Sequence, residues 1–485
     1  MGEIAPYCDI PTCLPQYVHM LAMVAAYSVS APVCSPQANV QYNGTRLSVM
    51  RGGTFADCCS QCSKDGTCAV FNFHPVGTLG QPTFCELQAA GGAAVPTHPV
   101  SNFLAGVPSA HVFCEDDEGC SLAGSCQPDG TCLCDGWSHG DHCEVLNLLD
   151  VDAVAFGYRN SSGYNSWGGA SVAFGGKHLL FASQMGGRCP LLGYWDRVSE
   201  GVRLVGDKPN GPFDLVDEIV LPSFAHNVKP FQAPDGTWLL FYIGSINSDT
   251  TVCNSSTTEE SASASPPIPH ETAGPVMLAS ASRPDAPSAE WTLHGPLTDS
   301  VGWHSATNPS ALFYPNGTVL LAVSRATDPG GKRTTLMSAD SWRGPYRNLT
   351  HGYNESIGNG EDPDLFRTKR GFHMLNHNTG PGSTRIWFSR DGLSRWRVAD
   401  GHANAFNATV RFTNGSEMVL CQRQRPQIVM AADGMPGWLW TGVMGGSPCP
   451  KDDRHGALNP TWTLAQQIGR NSEKSKGGGL RPGTT

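Results

Sequence analysis

Between about residues 147 and 465 the apolar positions fall into paired runs, each pair split by a turn that contains glycine. Each pair reads as a strand, a tight turn and a second, strongly apolar strand. The unit recurs as Gly169 to Phe181, Val228 to Tyr242, Ser310 to Ala322, Gly358 to Asn378 and Ala408 to Leu420. A second unit follows the first four copies, at Asp207 to Phe213, Arg283 to Pro287, Asp340 to Tyr346 and Arg390 to Trp396, and reads as an outer strand. Five inner hairpins and four outer units predict an all-β fold: a five-bladed β-propeller whose last blade closes through Trp438 to Val443. Radial repetition leaves few exposed strand edges, which suits a chain of many short strands.

Before this repeat the chain is organised by cysteine instead. Of its 18 cysteines, 14 precede residue 144. Such a block implies small domains stapled by disulfides in an oxidising compartment. Residues 34–110 carry Cys58-Cys59-Ser60-Gln61-Cys62, then Cys68-Ala69-Val70-Phe71, then Cys85-Glu86-Leu87. This module resembles a PAN/apple domain, which implies binding of protein or glycan. Residues 111–146 hold Cys114, Cys120, Cys126, Cys132, Cys134 and Cys143, with Gly130 and Gly140 placed for turns. Spacing alone leaves many pairings open. The segment resembles an EGF-like module, and the resemblance implies the disulfides Cys114–Cys126, Cys120–Cys132 and Cys134–Cys143. Ser109 to Phe113 lack the acidic residues that precede the first cysteine of calcium-binding EGF-like modules, so no calcium is expected. The pairing of Cys8, Cys13, Cys189, Cys253, Cys421 and Cys449 stays open.

Residues 1–33 read as a signal or leader region. Val18 to Tyr27 form an apolar stretch followed by small residues, although Glu3 and Asp9 stand where a basic segment is usual. Asn254 to Gly274 read as a surface excursion rich in Ser, Thr, Glu and Pro, and residues 466–485 as a disordered tail. The net charge of -10 and the absence of a basic run argue against nucleic acid or an anionic membrane as partner. No membrane span is expected. Eight Asn-x-Ser/Thr sequons, at Asn43, Asn160, Asn254, Asn316, Asn348, Asn354, Asn407 and Asn414, agree with a secreted or cell-surface glycoprotein.

In a propeller the first residues of the innermost strands gather at one end of the central channel. Here those entrances are Ser166-Trp167-Gly168-Gly169, Ala225-His226-Asn227, Thr307-Asn308-Pro309, Gly360-Glu361-Asp362-Pro363 and Arg423-Gln424-Arg425-Pro426-Gln427. An aromatic platform with amide and guanidinium donors suits a sugar. Trp167, His226, Asn227, Asn308 and Arg425 are the expected substrate-binding residues, and Glu361 and Asp362 the candidate catalytic pair. His373 and His377 share a spacing of four, but no third ligand is evident, so neither a metal nor any other cofactor is expected.

Residues 147–465 resemble the five-bladed propellers of the family-43 glycoside hydrolases, the arabinofuranosidases and β-xylosidases. That family uses an Asp base in blade 1, an Asp in blade 3 that tunes the acid, and a Glu acid in blade 4. Carried over, Glu361 matches the acid. Asn308 departs from the second Asp, and Trp167-Gly168 offers no base. The resemblance implies hydrolysis of arabinofuranosyl or xylosyl linkages with a glycan or polysaccharide as substrate; the base stays unassigned, Asp362 being one candidate although adjacent strand residues point to opposite faces. The alternative is a non-catalytic glycan-binding or adhesion protein that keeps the pocket without the carboxylates. The apple-like and EGF-like modules add the expectation of an extracellular protein partner. A third reading takes the propeller as a protein-interaction scaffold alone.

Overall fold

The computed structural model of the chain describes residues 34–38, 40–43, 45–65, 67–74, 83–89, 93–96, 104–108, 114–128, 130–159, 163–213, 216–244, 275–298, 306–327, 331–349, 360–377, 384–400, 404–445 and 460–470. The leader region, the segment Asn254 to Gly274 and residues 471–485 of the expected tail lie outside the described residues, as do Cys8, Cys13, Cys253 and Cys449. The chain divides into two compact units, residues 1–111 and 112–485. Among the described residues no helix is long and apolar enough to cross a membrane.

In the first unit a helix, α1 (Phe55–Lys64), starts at a capping box in which Thr54 and Asp57 satisfy each other's backbone donors. It carries Cys58, Cys59 and Cys62, which join Cys85, Cys34 and Cys68 in disulfides. These bonds fasten the helix to a five-stranded sheet ordered Cys34–Ala38, Leu104–Pro108, Cys68–His74, Phe84–Ala89, Arg46–Arg51. The core is small, with Phe71, Phe73 and Leu87 packed among the cystines. Crosslinks compensate for a core of this size.

The second unit contains five four-stranded antiparallel sheets. Sheets I to IV are each built from consecutive strands and begin with Ser166–Phe174, Ala225–Gln232, Thr307–Phe313 and Glu361–Arg367. Sheet V begins with Gln422–Met430, continues through Pro436–Met444 and Thr461–Gln467, and takes its outermost strand, Gly157–Tyr158, from the start of the unit. The two ends of the unit are thereby hydrogen-bonded together, at Gly157 with Leu464 and Tyr158 with Thr463. The five first strands touch in cyclic order, V also touching I. The second strands of sheets I, II, IV and V are almost wholly buried, as their apolar runs require.

Two sequence expectations change. Ala408 to Leu420 is not an inner hairpin but a separate two-stranded one, Thr409–Arg411 with Glu417–Val419. Its strands are three residues long, and Val410 and Leu420 pack with Val151, Val443 and Trp462 at the edge of sheet V. The second recurring unit is a turn rather than a strand. In sheets I to IV, residues 207–213, 283–287, 340–346 and 390–396 lie between the third and fourth strands.

The cysteine-rich segment belongs to this second unit. Disulfides join Cys114 to Cys126, Cys120 to Cys132 and Cys134 to Cys143. Trp137 and Leu146 enter one apolar cluster with Phe366, Leu375 and Ile386 of sheet IV and Ile428 and Leu439 of sheet V. Arg370, in the first hairpin turn of sheet IV, donates to Asp135, Asp117 and Ser125.

Candidate functional site

Each of the five first strands breaks its register near the start. The shifts fall between Trp167 and Gly169, His226 and Lys229, Thr307 and Ser310, Glu361 and Asp364, and Gln424 and Gln427. At each break one residue is left-handed: Gly168 (φ 62), Asn227 (55), Asn308 (54), Asp362 (56) and Arg425 (54). Asn, Asp and Gly tolerate this region; Arg does not readily, and it costs on the order of 1–2 kcal/mol. A bulge re-aims side chains. The recurrence makes these five residues one ring with a contribution from every sheet.

The ring is closed by its own contacts. Asn227 Nδ2 donates to Asn308 Oδ1 at 2.7 Å. Arg425 Nη2 donates to the carbonyls of Asn227 at 3.2 Å and Pro309 at 3.0 Å, so this side chain spans from sheet V to sheets II and III. Its own N–H donates to Asp362 Oδ2 at 3.1 Å. Gly168 makes the room, since a Cβ there would lie 2.8 Å from Arg425 Cγ. Asn227, Asn308, Asp362 and Arg425 are all at most 5% exposed. The four expected site residues at the bulges are therefore brought together, but committed to one another. Two residues further along, Lys229 pairs with Asp364, which also accepts from Ser310 Oγ and the N–H of Ile428. That buried knot ties sheets II, III, IV and V.

Outside the ring, Thr307, Glu361 and Gln424 are partly exposed at the entrances of sheets III, IV and V. Glu361 keeps 16% of its side chain open. The sequence pattern implies that Glu361 and Asp362 point to opposite faces. The bulge changes this: both carboxylates reach His377, Glu361 Oε1 at 3.5 Å from Nε2 and Asp362 Oδ2 at 3.1 Å from Nδ1. The three groups bring one ligand atom each within 4.8 Å of one another and could hold a cation. His373, its neighbour in the sequence pair, is elsewhere, between Phe366 and Trp137.

Sheets I and II enter differently. Trp167 is buried with Met185, Cys189, Leu191, Cys421 and Met444, and its ring lies over Gly442, so it packs the sheet I–V junction instead of facing a ligand. Cys189 and Cys421 are both disulfide-bonded. His226 is buried, and burial, aided by the Arg425 charge, pushes its pKa down to about 3. Ser199 Oγ donates to the carbonyl of Trp195 at 2.6 Å, so its 2.8 Å contact with His226 Nδ1 is a bond donated by the imidazole N–H. The aromatic group beside this entrance is Trp195, partly exposed and 4.9 Å from the His226 ring. Sequence reasoning missed Trp195 and weighed His377 only as a metal ligand beside His373; both sit outside the strand starts. The signal for His377 was its place opposite Glu361 once the hairpin is drawn in register.

No protein-family model and no curated protein matches this sequence. Among solved structures, the chain is similar to Zg3597, a family 117 glycoside hydrolase of the marine bacterium Zobellia galactanivorans, at 15% identity and a TM-score of 0.46, over 67% of this chain and 90% of that one. It is also similar to the catalytic domain of a family 62 α-L-arabinofuranosidase from Coprinopsis cinerea, at 14% identity and a TM-score of 0.43, over 69% and 97% of the two chains. A family 43 β-1,3-galactosidase matches at 12% identity and a TM-score of 0.41, over 66% and 60%.

Proposed function

We propose that residues 147–465 are a closed five-bladed β-propeller of the glycosidase type and that its sheet entrances bind a glycan around Glu361. The observation that carries this is Glu361 itself: a carboxylate beside the closed ring, in the position that resembles the family-43 acid, and still open to solvent. Thr307 and Gln424, partly exposed at the entrances of the neighbouring sheets, offer a hydroxyl and an amide suited to sugar hydroxyls. Binding without hydrolysis is the function this arrangement supports best. Inverting hydrolysis needs two carboxyl groups roughly 6.5–9.5 Å apart, leaving room for a water. Asp362 lies within 4.8 Å of Glu361 and is buried against Arg425, and Gly168 and Asn308 bring no acid.

A second reading, hydrolysis of an arabinofuranosyl or xylosyl linkage with Glu361 as general acid, is favoured by the Glu361–His377–Asp362 contacts, which set an imidazole and a second carboxylate beside the acid. In either case the disulfides of residues 34–110 and 111–146 support a secreted protein, with apple-like and EGF-like modules that would engage an extracellular partner.

Aryl arabinofuranosides, xylosides and galactosides, together with a glycan array, separate the two readings when wild type and Glu361→Gln are compared. The expected outcome is array binding by the wild type, at least tenfold weaker in the variant, and no turnover by either. Turnover that disappears in Glu361→Gln would establish the hydrolase. Neither turnover nor array binding would remove the glycan from the proposal altogether.

A further inference from the structure

We infer that Trp195 is the aromatic platform of this site, a subsite on which one sugar ring of the bound glycan stacks by its apolar face. The inference rests on the glycan reading above and names the residue that would recognise the sugar.

A sugar-binding entrance needs a flat apolar surface beside its polar groups, and Trp167, the tryptophan at the strand start, cannot supply it because its ring is buried at the sheet junction. Trp195 opens the short helix Trp195–Val198, in the connection between the second and third strands of sheet I. That connection reaches the entrance because it leaves the second strand at Met185 and re-enters the third at Ser199, the same end at which Ser166 starts the first strand.

The ring is held rather than loose. Phe224 and His226 pack against it, with ring centroids 6.3 Å and 4.9 Å away. Buried Ser199 links the Trp195 carbonyl to His226 Nδ1. A fixed ring gives up little freedom on binding, which is what makes an aromatic anchor effective. His226 is neutral, so the support beneath the ring carries no charge that a sugar would have to desolvate. A chain of buried contacts links the platform to Glu361. His226 precedes Asn227 of the ring, Asn227 meets Arg425, Arg425 meets Asp362, and Asp362 shares His377 with Glu361. Tyr194 and Leu192, also partly exposed, extend the same apolar side.

Xylo-, arabino- and galacto-oligosaccharides printed on one array, with wild type, Trp195→Ala, Trp195→Phe and Glu361→Gln applied in parallel, test this. Trp195→Ala should bind the retained glycan at least tenfold more weakly, and Trp195→Phe within about threefold of wild type. The fluorescence change of wild type on titration with that oligosaccharide should be absent from Trp195→Phe. Because Trp195→Phe keeps a ring against Phe224 and His226, it separates stacking from folding. If both Trp195 variants bind like wild type and the fluorescence change persists in Trp195→Phe, the platform lies elsewhere while the glycan site around Glu361 stands. If wild type retains no glycan, the site and the platform both fall.

Discussion

At the scale of single residues the ring shows how one glycine and one arginine depend on each other. Arg425 adopts a left-handed backbone that arginine rarely takes, and its side chain lies where a Cβ on Gly168 would be. Gly168→Ala should therefore destabilise the protein by about 2–4 kcal/mol, from the left-handed backbone and the overlap together. Urea unfolding checks this, and a loss below the error of the measurement would mean that Arg425 moves aside freely. The Lys229–Asp364 pair sets a second test. Lys229→Met removes the cation and leaves Asp364 buried without its ion partner. A loss of roughly 3–5 kcal/mol is expected, larger than for a double replacement of both residues by apolar ones. Little of this was legible beforehand. The five entrance segments could be aligned from the repeat, and Glu361 could be singled out. A bulge, however, leaves no mark in a period-two pattern, so the turning of Asn227, Asn308, Asp362 and Arg425 toward one another was hidden.

At the scale of elements, the hairpins were legible because each pairs a glycine-containing turn with a strongly apolar second strand. The outermost strand of sheet V was not, because Gly157–Tyr158 is two residues long and lies more than 260 residues from Gln422, where the sheet begins. The hairpin at Ala408 to Leu420 misled for the opposite reason: it has the pattern of an inner pair but ends after three residues on each side. The cysteine-rich segment, which resembles an EGF-like module in sequence, shares a core with sheets IV and V. Trp137 is 1% exposed, and Phe366 and His373 both meet it in T-shaped contacts. A Cβ on Gly371 would lie 2.7 Å from Leu122 Cδ1. The contact is tight enough that segment and sheets should unfold together. Trp137→Ala should lower stability by about 3–5 kcal/mol and Arg370→Ala by about 1–2 kcal/mol. In both variants near-ultraviolet dichroism and a probe placed in the segment should report one transition. Two separate transitions in the wild type would show instead that the segment is a detachable module.

At the scale of the whole molecule the balance of buried titrating groups sets how it responds to acid. His226 and His373 lie on different sheets and do not share partners, and burial lowers each from 6.5 to about 3. In the unfolded chain both regain an ordinary histidine pKa, so below it the unfolded state binds protons that the folded state refuses. The sign follows: stability is full above about pH 6.5 and falls steadily as the pH drops toward 3. At pH 5 the loss is about 2 kcal/mol for each histidine. Asp391, whose carboxylate is held at about 2 because hydrogen bonds from Ser394, Leu393 and Ser389 outweigh its burial, adds a loss of the same sign only below the carboxylate range. Glu200, raised by burial, works the other way. Between pH 6.5 and 5 the histidines therefore dominate. Of the difference in urea unfolding between pH 7.5 and pH 5, His226 and His373 together should supply roughly 4 kcal/mol, and about half of that share should go in His373→Gln, which keeps a hydrogen-bonding group near Thr368 without the titration. His226 is the harder half of the test because it also braces Trp195. His226→Gln should remove the other half of that share, and any loss of glycan binding at pH 7.5 in that variant should track Trp195 and not the acid response. A wild type equally stable at both pH values would mean that protons reach these two rings in the folded state, which their burial forbids.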